Sequence, residues 1–415
     1  MKVLLIGSGG REHAIAWKLS KSNKVKKIFC APGNGGTYKN DKCENVNLNG
    51  IDSFFKFALE NNIDITIVGP EAPLVEGIVD KFKENGLKIF GPSTKAALLE
   101  GSKAFAKNFM KKYGVKTAEY EVFEEKEKAI SYLEKCKYPV VIKADGLAAG
   151  KGVSICEKYS EAEKVVYNYM ISDIFKGAGK KIVVEEYLDG VEASILSITD
   201  GNTIIPFISC MDHKPIYEGN EGPNTGGMGT IAPNPHCNDE VLKEFEEVIL
   251  NPTLKGIREE KLDYIGIIFF GLMICKKGVY LLEYNVRMGD PETQAVLPLM
   301  KNDLCELIFS ALDRKLKTYE IDWEDKYSCC VIAASGGYPE KYETGFEITN
   351  IDSIKNLLFI AGANYKQEKL VTTGGRVLAI TSVKNTLHEA IKSTYEDIKR
   401  VNFKNMYYRK DIGNN

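Results

Sequence analysis

Glu283, Asn285 and Arg287 alternate within Leu281-Leu282-Glu283-Tyr284-Asn285-Val286-Arg287. On a β-strand, residues two apart point to one face. A carboxylate, an amide oxygen and a guanidinium then stand side by side, with Leu282, Tyr284 and Val286 turned toward a core. Two oxygen ligands beside a cation suit a Mg²⁺–phosphate site, because Mg²⁺ takes one or two protein oxygens and fills its octahedron with water and phosphate. Arg287 would bind the phosphate or neutralise charge as it transfers. Asp290 and Glu292, in Gly289-Asp290-Pro291-Glu292, add two carboxyls beside this face.

Several glycine-rich loops point to anions. Asp145-Gly146-Leu147-Ala148-Ala149-Gly150-Lys151-Gly152 invites comparison with a P-loop, but no Ser or Thr follows the lysine and a strand, not a helix, comes next. It reads as a flap between antiparallel strands, able to close over a triphosphate, with Lys143 and Lys151 bringing charge from its two sides. Gly7-Ser8-Gly9-Gly10 fails as a dinucleotide fingerprint: Glu12 stands at the third glycine position, and Cys30-Ala31-Pro32 carries no acid for a ribose. What remains is a helix N-terminus whose free N–H groups, with Arg11, suit one phosphate. Gly222-Pro223-Asn224-Thr225-Gly226-Gly227-Met228-Gly229, with Asp212-His213-Lys214 before it, offers a cation, an amide and many N–H groups to an anion. His213 receives no catalytic role. Glu185-Glu186 end an apolar strand and Glu192 follows, which suits adenine reading by backbone groups and a carboxylate on ribose hydroxyls.

Holding such loops requires a sizeable scaffold, and 415 residues imply two to four domains or subdomains. A net charge of −2 gives no global attraction to nucleic acid or an anionic membrane. No apolar run approaches the ~20 residues that span a bilayer. The N-terminal apolar run breaks at Gly7, too early for a signal peptide. The cysteines lack a CxxC pair and sit in apolar runs, so they read as reduced buried thiols. Strands at 3–6, 27–30, 65–68 and 88–90 alternate with helices at 12–19, 51–60 and 74–84, which predicts an open parallel sheet. The spacing then predicts a helix at 103–112 and strands at 140–143, 153–156 and 182–186. Further on come a hairpin at Asp200-Gly201, a helix over 238–260 bent or broken at Pro252, and a strand pair turning at Lys277-Gly278. From about Asp322 the chain is β-rich (SCCVIAAS, FEI, KLVTT, RVLAITSV) and closes on a helix over 386–400.

Strings along nearly the whole chain resemble the phosphoribosylamine–glycine ligase family of the ATP-grasp superfamily. They include VLLIGSGGREHAIAWKL, APGNGGT, GPEAPLVEGIVD, LEGSKAFAKNFM, VVIKADGLAAGKGV, VEEYLDGVEAS, GPNTGGMG, EYNVRMGDPETQ and TTGGRVL. The resemblance implies an α/β and α+β fold: an ATP-grasp fold, preceded by an open parallel α/β sheet domain and followed by a small β-rich C-terminal domain. The expected boundaries are residues 1–101, 102–320 (with a flap subdomain at about 115–188) and 321–415. The implied reaction joins glycine to 5-phosphoribosylamine, with ATP becoming ADP and phosphate through an acyl phosphate. The implied ATP site contains Lys103, Lys143, Glu185, Glu186, Leu188 and Glu192, with Gly150 and Lys151 on the flap. Glu283 and Asn285 would hold Mg²⁺ or Mn²⁺, and Arg287 would stabilise the acyl phosphate. Gly9, Gly10, Asn34 and Glu71 would hold the phosphoribosyl part. Asp212, as a catalytic residue, and Lys214, Gly226, Gly227, Met228, Asp290 and Glu292 would lie near the reacting groups. Met288 stands where the family often has phenylalanine.

The expected partners are these small molecules, with no nucleic acid or membrane, for a cytoplasmic monomer. Two rival readings predict different behaviour. Another ATP-grasp enzyme, such as a formate-dependent ribonucleotide transformylase or a biotin carboxylase-like enzyme, would use a different acid. A nucleotide-sensing module without catalysis would have lost the metal strand, yet Glu283, Asn285 and Arg287 are all present.

Overall fold

The computed structural model describes residues 1–148 and 150–414; Ala149 of the glycine-rich loop lies outside the described residues. Strands Cys43–Asn45, Lys27–Pro32, Lys2–Gly7, Ile65–Val68 and Ile89–Pro92 form a parallel sheet in that order. Their apolar runs are continuous because both faces are covered. Val3 and Leu5 pack with Ile15 and Leu19 of helix Gly10–Ser20, while Leu4 and Ile6 meet Phe54 and Phe82 from the other side.

This sheet does not end with the N-terminal part. Ile89–Pro92 pairs antiparallel with Tyr264–Cys275 through Tyr264 opposite Pro92 and Ile265 opposite Gly91. Tyr264–Cys275 in turn carries Gly190–Thr199 and Gly278–Asn285, and Ile204–Pro206 closes that edge. One nine-stranded sheet therefore runs across residue 101.

A separate antiparallel sheet holds Tyr120–Phe123, Ile182–Glu186, Val140–Ala144 and Val153–Cys156, in that order. Ile142, Ala144, Ile182 and Val184 pack there against Ala129, Leu133, Ala162 and Val166 of two helices. The glycine-rich loop joins its two last strands, as a flap requires. The third main sheet orders Met211–Asp212, Gly229–Ala232, Tyr327–Ser335, Arg376–Lys384 and Leu357–Ile360. Strand pairing thus also crosses residue 320, because Gly229–Ala232 is hydrogen-bonded to Tyr327–Ser335.

Three local expectations change. The helix expected over 74–84 is two, Glu71–Val75 and Ile78–Glu84, divided at Gly77. Its φ of 92° is a left-handed conformation that glycine adopts without a Cβ clash. Pro252 neither breaks nor ends its helix. A π-turn at Glu246–Leu250 precedes it, and the Val248 carbonyl, which residue 252 cannot serve without an N–H, accepts Lys116 N at 3.0 Å. FEI makes only a bridge between Glu347 and Val371.

The C-terminal tail clamps the segment that carries Asp212 and Lys214. Arg409 is 0% exposed. It pairs with both oxygens of Asp411 at 2.8 and 2.6 Å, and donates to Pro215 O and Asn220 Oδ1 at 3.0 Å each. Tyr407 donates to Ile216 O at 2.8 Å. Removing Arg409 strands the half-buried Asp411 carboxylate and the Pro215 carbonyl that it serves. Arg409→Leu should destabilise the protein by about 3 kcal/mol, read as a lower denaturant midpoint; an unchanged midpoint would show the clamp to be dispensable.

Candidate active site

The strand Gly278–Asn285 presents Glu283 and Asn285 on one face, with Tyr284 and Val286 buried on the other. Leu282 departs from the expected alternation. The register against Tyr264–Cys275 shifts between Gly271 and Leu272, so Leu281 takes the core position and Leu282 is only half-buried. A bulge of this kind re-aims side chains next to a site. The Leu282 carbonyl receives Lys143 Nζ at 3.3 Å. Burial pushes the Glu283 carboxyl up, but Lys214, Lys143, Lys103 and Arg287 together bring it below the usual carboxylate range. It stays ionised, as a metal ligand must. Among the described residues, no group of three or more His, Cys, Asp or Glu is placed to hold a metal. A divalent ion at Glu283 and Asn285 would therefore complete its shell with phosphate and water.

Arg287 is held on three sides. Its Nε meets Glu71 Oε2 at 3.2 Å, and its Nη2 meets Glu100 Oε1 at 3.0 Å and Asn285 Oδ1 at 3.3 Å. Glu100 also accepts Val286 N at 2.7 Å, tying helix Thr94–Gly101 to the end of the strand. This fixes the guanidinium rather than leaving it to swing.

Behind the strand lies a cluster of lysines. Lys143 donates to Glu185 Oε2 at 2.9 Å, and Lys107 lies 3.0 Å from the same oxygen. Lys103, at the start of its helix, lies 3.4 Å from Gly146 O of the flap. Glu185 is buried, and its Oε1 has no hydrogen-bond partner among the described residues. Glu186 is exposed and caps Glu119 N at 3.0 Å; Leu188 is half-buried just beyond the strand. Glu192 pairs with Lys214 at 2.7 Å, so a candidate ribose carboxylate and a candidate substrate cation hold each other.

The flap tip is docked elsewhere. Lys151 is exposed, and its ammonium meets Pro339 O at 3.1 Å in the C-terminal part. Gly150, at φ 75°, faces Thr225 O.

The glycine loops are more occupied than their composition suggests. Glu12 accepts Gly9 N and pairs with Arg11 Nε at 2.6 Å; Arg11 also donates to Met288 O and is buried. Arg11 is therefore turned inward, not offered to a phosphate. Asp290 accepts Arg11 N at 3.2 Å, placing a carboxylate over the helix N-terminus beside Gly9, while Gln294 packs against Gly10. Asn34 is a correction. Its Oδ1 caps Gly36 N and Thr37 N, and its Nδ2 donates to Ser8, Gly9 and Ile360 carbonyls. Every polar atom of the side chain is engaged, so it braces two loops and has none left for a substrate. Met228 is a second correction: its side chain is 0% exposed in the C-terminal core, and its N and O bond His213 O and Ile332 N. Gly226 remains at the surface of that loop while Gly227 is buried against Pro291 and Asp212, and the loop is held by Arg376, whose Nη1 meets Gly226 O and Asp290 O at 2.6 Å each.

Burial first, and then the charge of Glu292, pushes Asp212 well above the usual carboxylate range, and burial also raises Glu292. Asp212 Oδ1 accepts Thr230 Oγ1 at 3.4 Å. His213 is neutral and structural: burial pulls it down to about 4, and its ring nitrogens bridge Gly229 O and Gly413 N.

Sequence reasoning passed over Lys107, Glu100 and Arg376. All three lie inside strings already singled out (SKAFAK, LEG and GGR), but nothing local marks them, because their partners are 78, 187 and 86 positions away in Glu185, Arg287 and Asp290.

Models of the phosphoribosylglycinamide synthetase N domain, ATP-grasp (A) domain and C domain match residues 1–100, 101–293 and 328–415. The chain is 63% identical over 413 residues to a phosphoribosylamine–glycine ligase of Clostridium acetobutylicum, covering 100% of this chain and 99% of that one. A trifunctional purine biosynthetic protein of Gallus gallus is 44% identical across 99% of this chain, which spans 42% of it. The crystal structure of phosphoribosylamine–glycine ligase from Thermotoga maritima superposes with a TM-score of 0.89 at 35% identity over 100% of both chains. The biotin carboxylase domain of a Hydrogenobacter thermophilus 2-oxoglutarate carboxylase, at 18% identity and TM-score 0.71 over 98% of this chain and 91% of that one, shares the fold. The chain belongs to the phosphoribosylglycinamide synthetase family of ATP-grasp ligases.

Proposed function

We propose that this chain joins the carboxylate of glycine to the amine of 5-phosphoribosylamine in purine synthesis, turning ATP into ADP and phosphate through a glycyl phosphate. The observation that carries the reading is the ionised Glu283 ringed by Lys103, Lys143, Lys214 and Arg287, next to a glycine-rich flap. In this reading ATP lies with its adenine at Glu185, Glu186 and Leu188, its ribose at Glu192, and its phosphates against Lys103 and Lys143. Gly150 and Lys151 close over it and exclude water. Glu283 and Asn285 fit Mg²⁺ or Mn²⁺, which would supply charge neutralisation at the triphosphate. Gly9, Gly10 and Glu71 hold the phosphoribosyl part, and Lys214, Gly226, Gly227, Asp290 and Glu292 lie near the reacting groups.

A glycine carboxylate oxygen attacks the terminal phosphorus and ADP leaves. Arg287, fixed by Glu71 and Glu100, stabilises the charge on the transferring phosphoryl group. The amine then attacks the carbonyl carbon, phosphate leaves, and Asp212 takes the amine's proton. A carboxylate with a raised pKa is the better base for this task. The ten cysteines are all free, which supports a reducing cytoplasm. Among the described residues no helix is long and apolar enough to cross a membrane.

Omitting glycine from an ATP-turnover assay should reduce ADP release to background. Release that ignores glycine would transfer the reading to an ATP-grasp enzyme with another acid. Glu283→Gln keeps the shape and removes the charge, so metal-dependent turnover should vanish while the melting temperature holds; full activity with Mg²⁺ would refute the ligand role. Because the Asp212–Glu292 pair is raised, it loses its proton as pH rises, and turnover should climb through that titration. Asp212→Asn should lower kcat by roughly a hundredfold and flatten this limb; an unaltered pH profile would remove Asp212 from proton transfer.

A further inference from the structure

Lys107 sits one turn after Lys103 on helix Lys103–Tyr113 and is 2% exposed. A lysine so deeply buried is tolerated only where its charge is opposed. Its Nζ lies 3.0 Å from Glu185 Oε2 and donates to Thr117 Oγ1 at 2.7 Å; Thr117 in turn donates to Leu281 O at 2.6 Å. Lys143 reaches the same Glu185 oxygen at 2.9 Å. One carboxylate can balance only one of two cations, so the trio carries one net positive charge. That surplus emerges on the Lys143 side, where Lys143 donates to Leu282 O and helps keep Glu283 ionised.

We propose that Lys107 is a positioning residue for ATP: it satisfies Glu185 from behind, so that Lys143 keeps its charge for the triphosphate. The inference rests on the reading of Lys143 and Glu185 as part of the ATP site. It also gives Lys107 a role that packing alone does not require. A methionine would fill the same buried volume, whereas the ammonium sets how strongly Glu185 competes with phosphate for Lys143. Burial pulls the Lys107 ammonium down to about 8, with Glu185 opposing the shift, so the group is costly to keep charged and is held so by one carboxylate. Lys143, Glu283 and the ring of Tyr120 are the other groups that face it.

The test compares ADP and adenosine binding by calorimetry on the full chain. Charge acts on phosphate, so Lys107→Met should weaken ADP about tenfold and leave adenosine within about twofold. Lys107→Arg should retain the native ratio of the two affinities. Thr117→Val, which removes the hydroxyl acceptor of Lys107 and keeps the charge, should retain it too. Equal loss of ADP and adenosine binding in Lys107→Met would overturn the proposal in favour of a structural role, and so would unchanged ADP binding. Lys107→Gln provides a second uncharged variant should Lys107→Met fail to fold. Lys143→Met separates the two levels of the argument: if it also leaves ADP binding unchanged, the assignment of the ATP site itself is what fails.

Discussion

Glu283 stays ionised in a half-buried place because Lys214, Lys143, Lys103 and Arg287 surround it. Three of those cations are opposed by further acids: Glu192 on Lys214, Glu185 on Lys143, and Glu71 and Glu100 on Arg287. Neither set could be withdrawn from water alone, since an isolated ion in low dielectric would shift its pKa and neutralise. The site is thus a lattice of alternating charge before any ligand arrives. In the proposed reading, a polyanion entering it exchanges protein carboxylates for phosphate as the partners of the same cations. Positioning and charge neutralisation then do most of the work of phosphoryl transfer, with no nucleophilic side chain needed.

Holding such a lattice demands a rigid frame, and the continuous sheet supplies it. The pairing of Tyr264 and Ile265 with Pro92 and Gly91 joins the N-terminal parallel strands to the strand pair bearing Glu283 and Asn285. Helix Gly10–Ser20 and the strand that carries Glu283 and Asn285 therefore belong to one body, and Asp290 can sit over that helix's N-terminus. The flap strands form their own sheet, tied to the frame by backbone bonds such as Lys103 N to Asp145 O at 3.0 Å and by side chains such as Lys107 and Thr117. Rigid frame and separate flap are what a reaction needs when it must admit ATP and then exclude water.

Much of this frame was legible because its causes are local. Buried parallel strands read as unbroken apolar runs, and the hairpin at Asp200-Gly201 reads from a turn pair whose glycine takes φ 83°. Alternation placed Glu283, Asn285 and Arg287 on one face without any fold in view. It misplaced Leu282, because a bulge depends on the partner strand's register and leaves no local mark. Asn34 misled for a different reason. A short polar side chain in a glycine loop suits a ligand or a helix cap equally, and only the positions of Gly36 N and Thr37 N decide for the cap. Lys107, Glu100 and Arg376 were hidden by distance along the chain, as charge pairing between remote elements always is.

The way the C-terminal part enters the site follows from the same logic. Arg376 binds the carbonyls of Gly226 and Asp290, so one guanidinium sets the spacing between the GPNTGG loop and the DPET turn. Lys151 at the flap tip meets Pro339 O, and Tyr338 OH accepts Gly226 N at 3.1 Å. The turn after strand Tyr327–Ser335 therefore contacts both the flap tip and the GPNTGG loop. A domain that only completed the core would have no reason to place a half-buried arginine between the GPNTGG loop and the DPET turn. Its place between them ties the C-terminal part to both, and Asp290 carries that tie on to helix Gly10–Ser20.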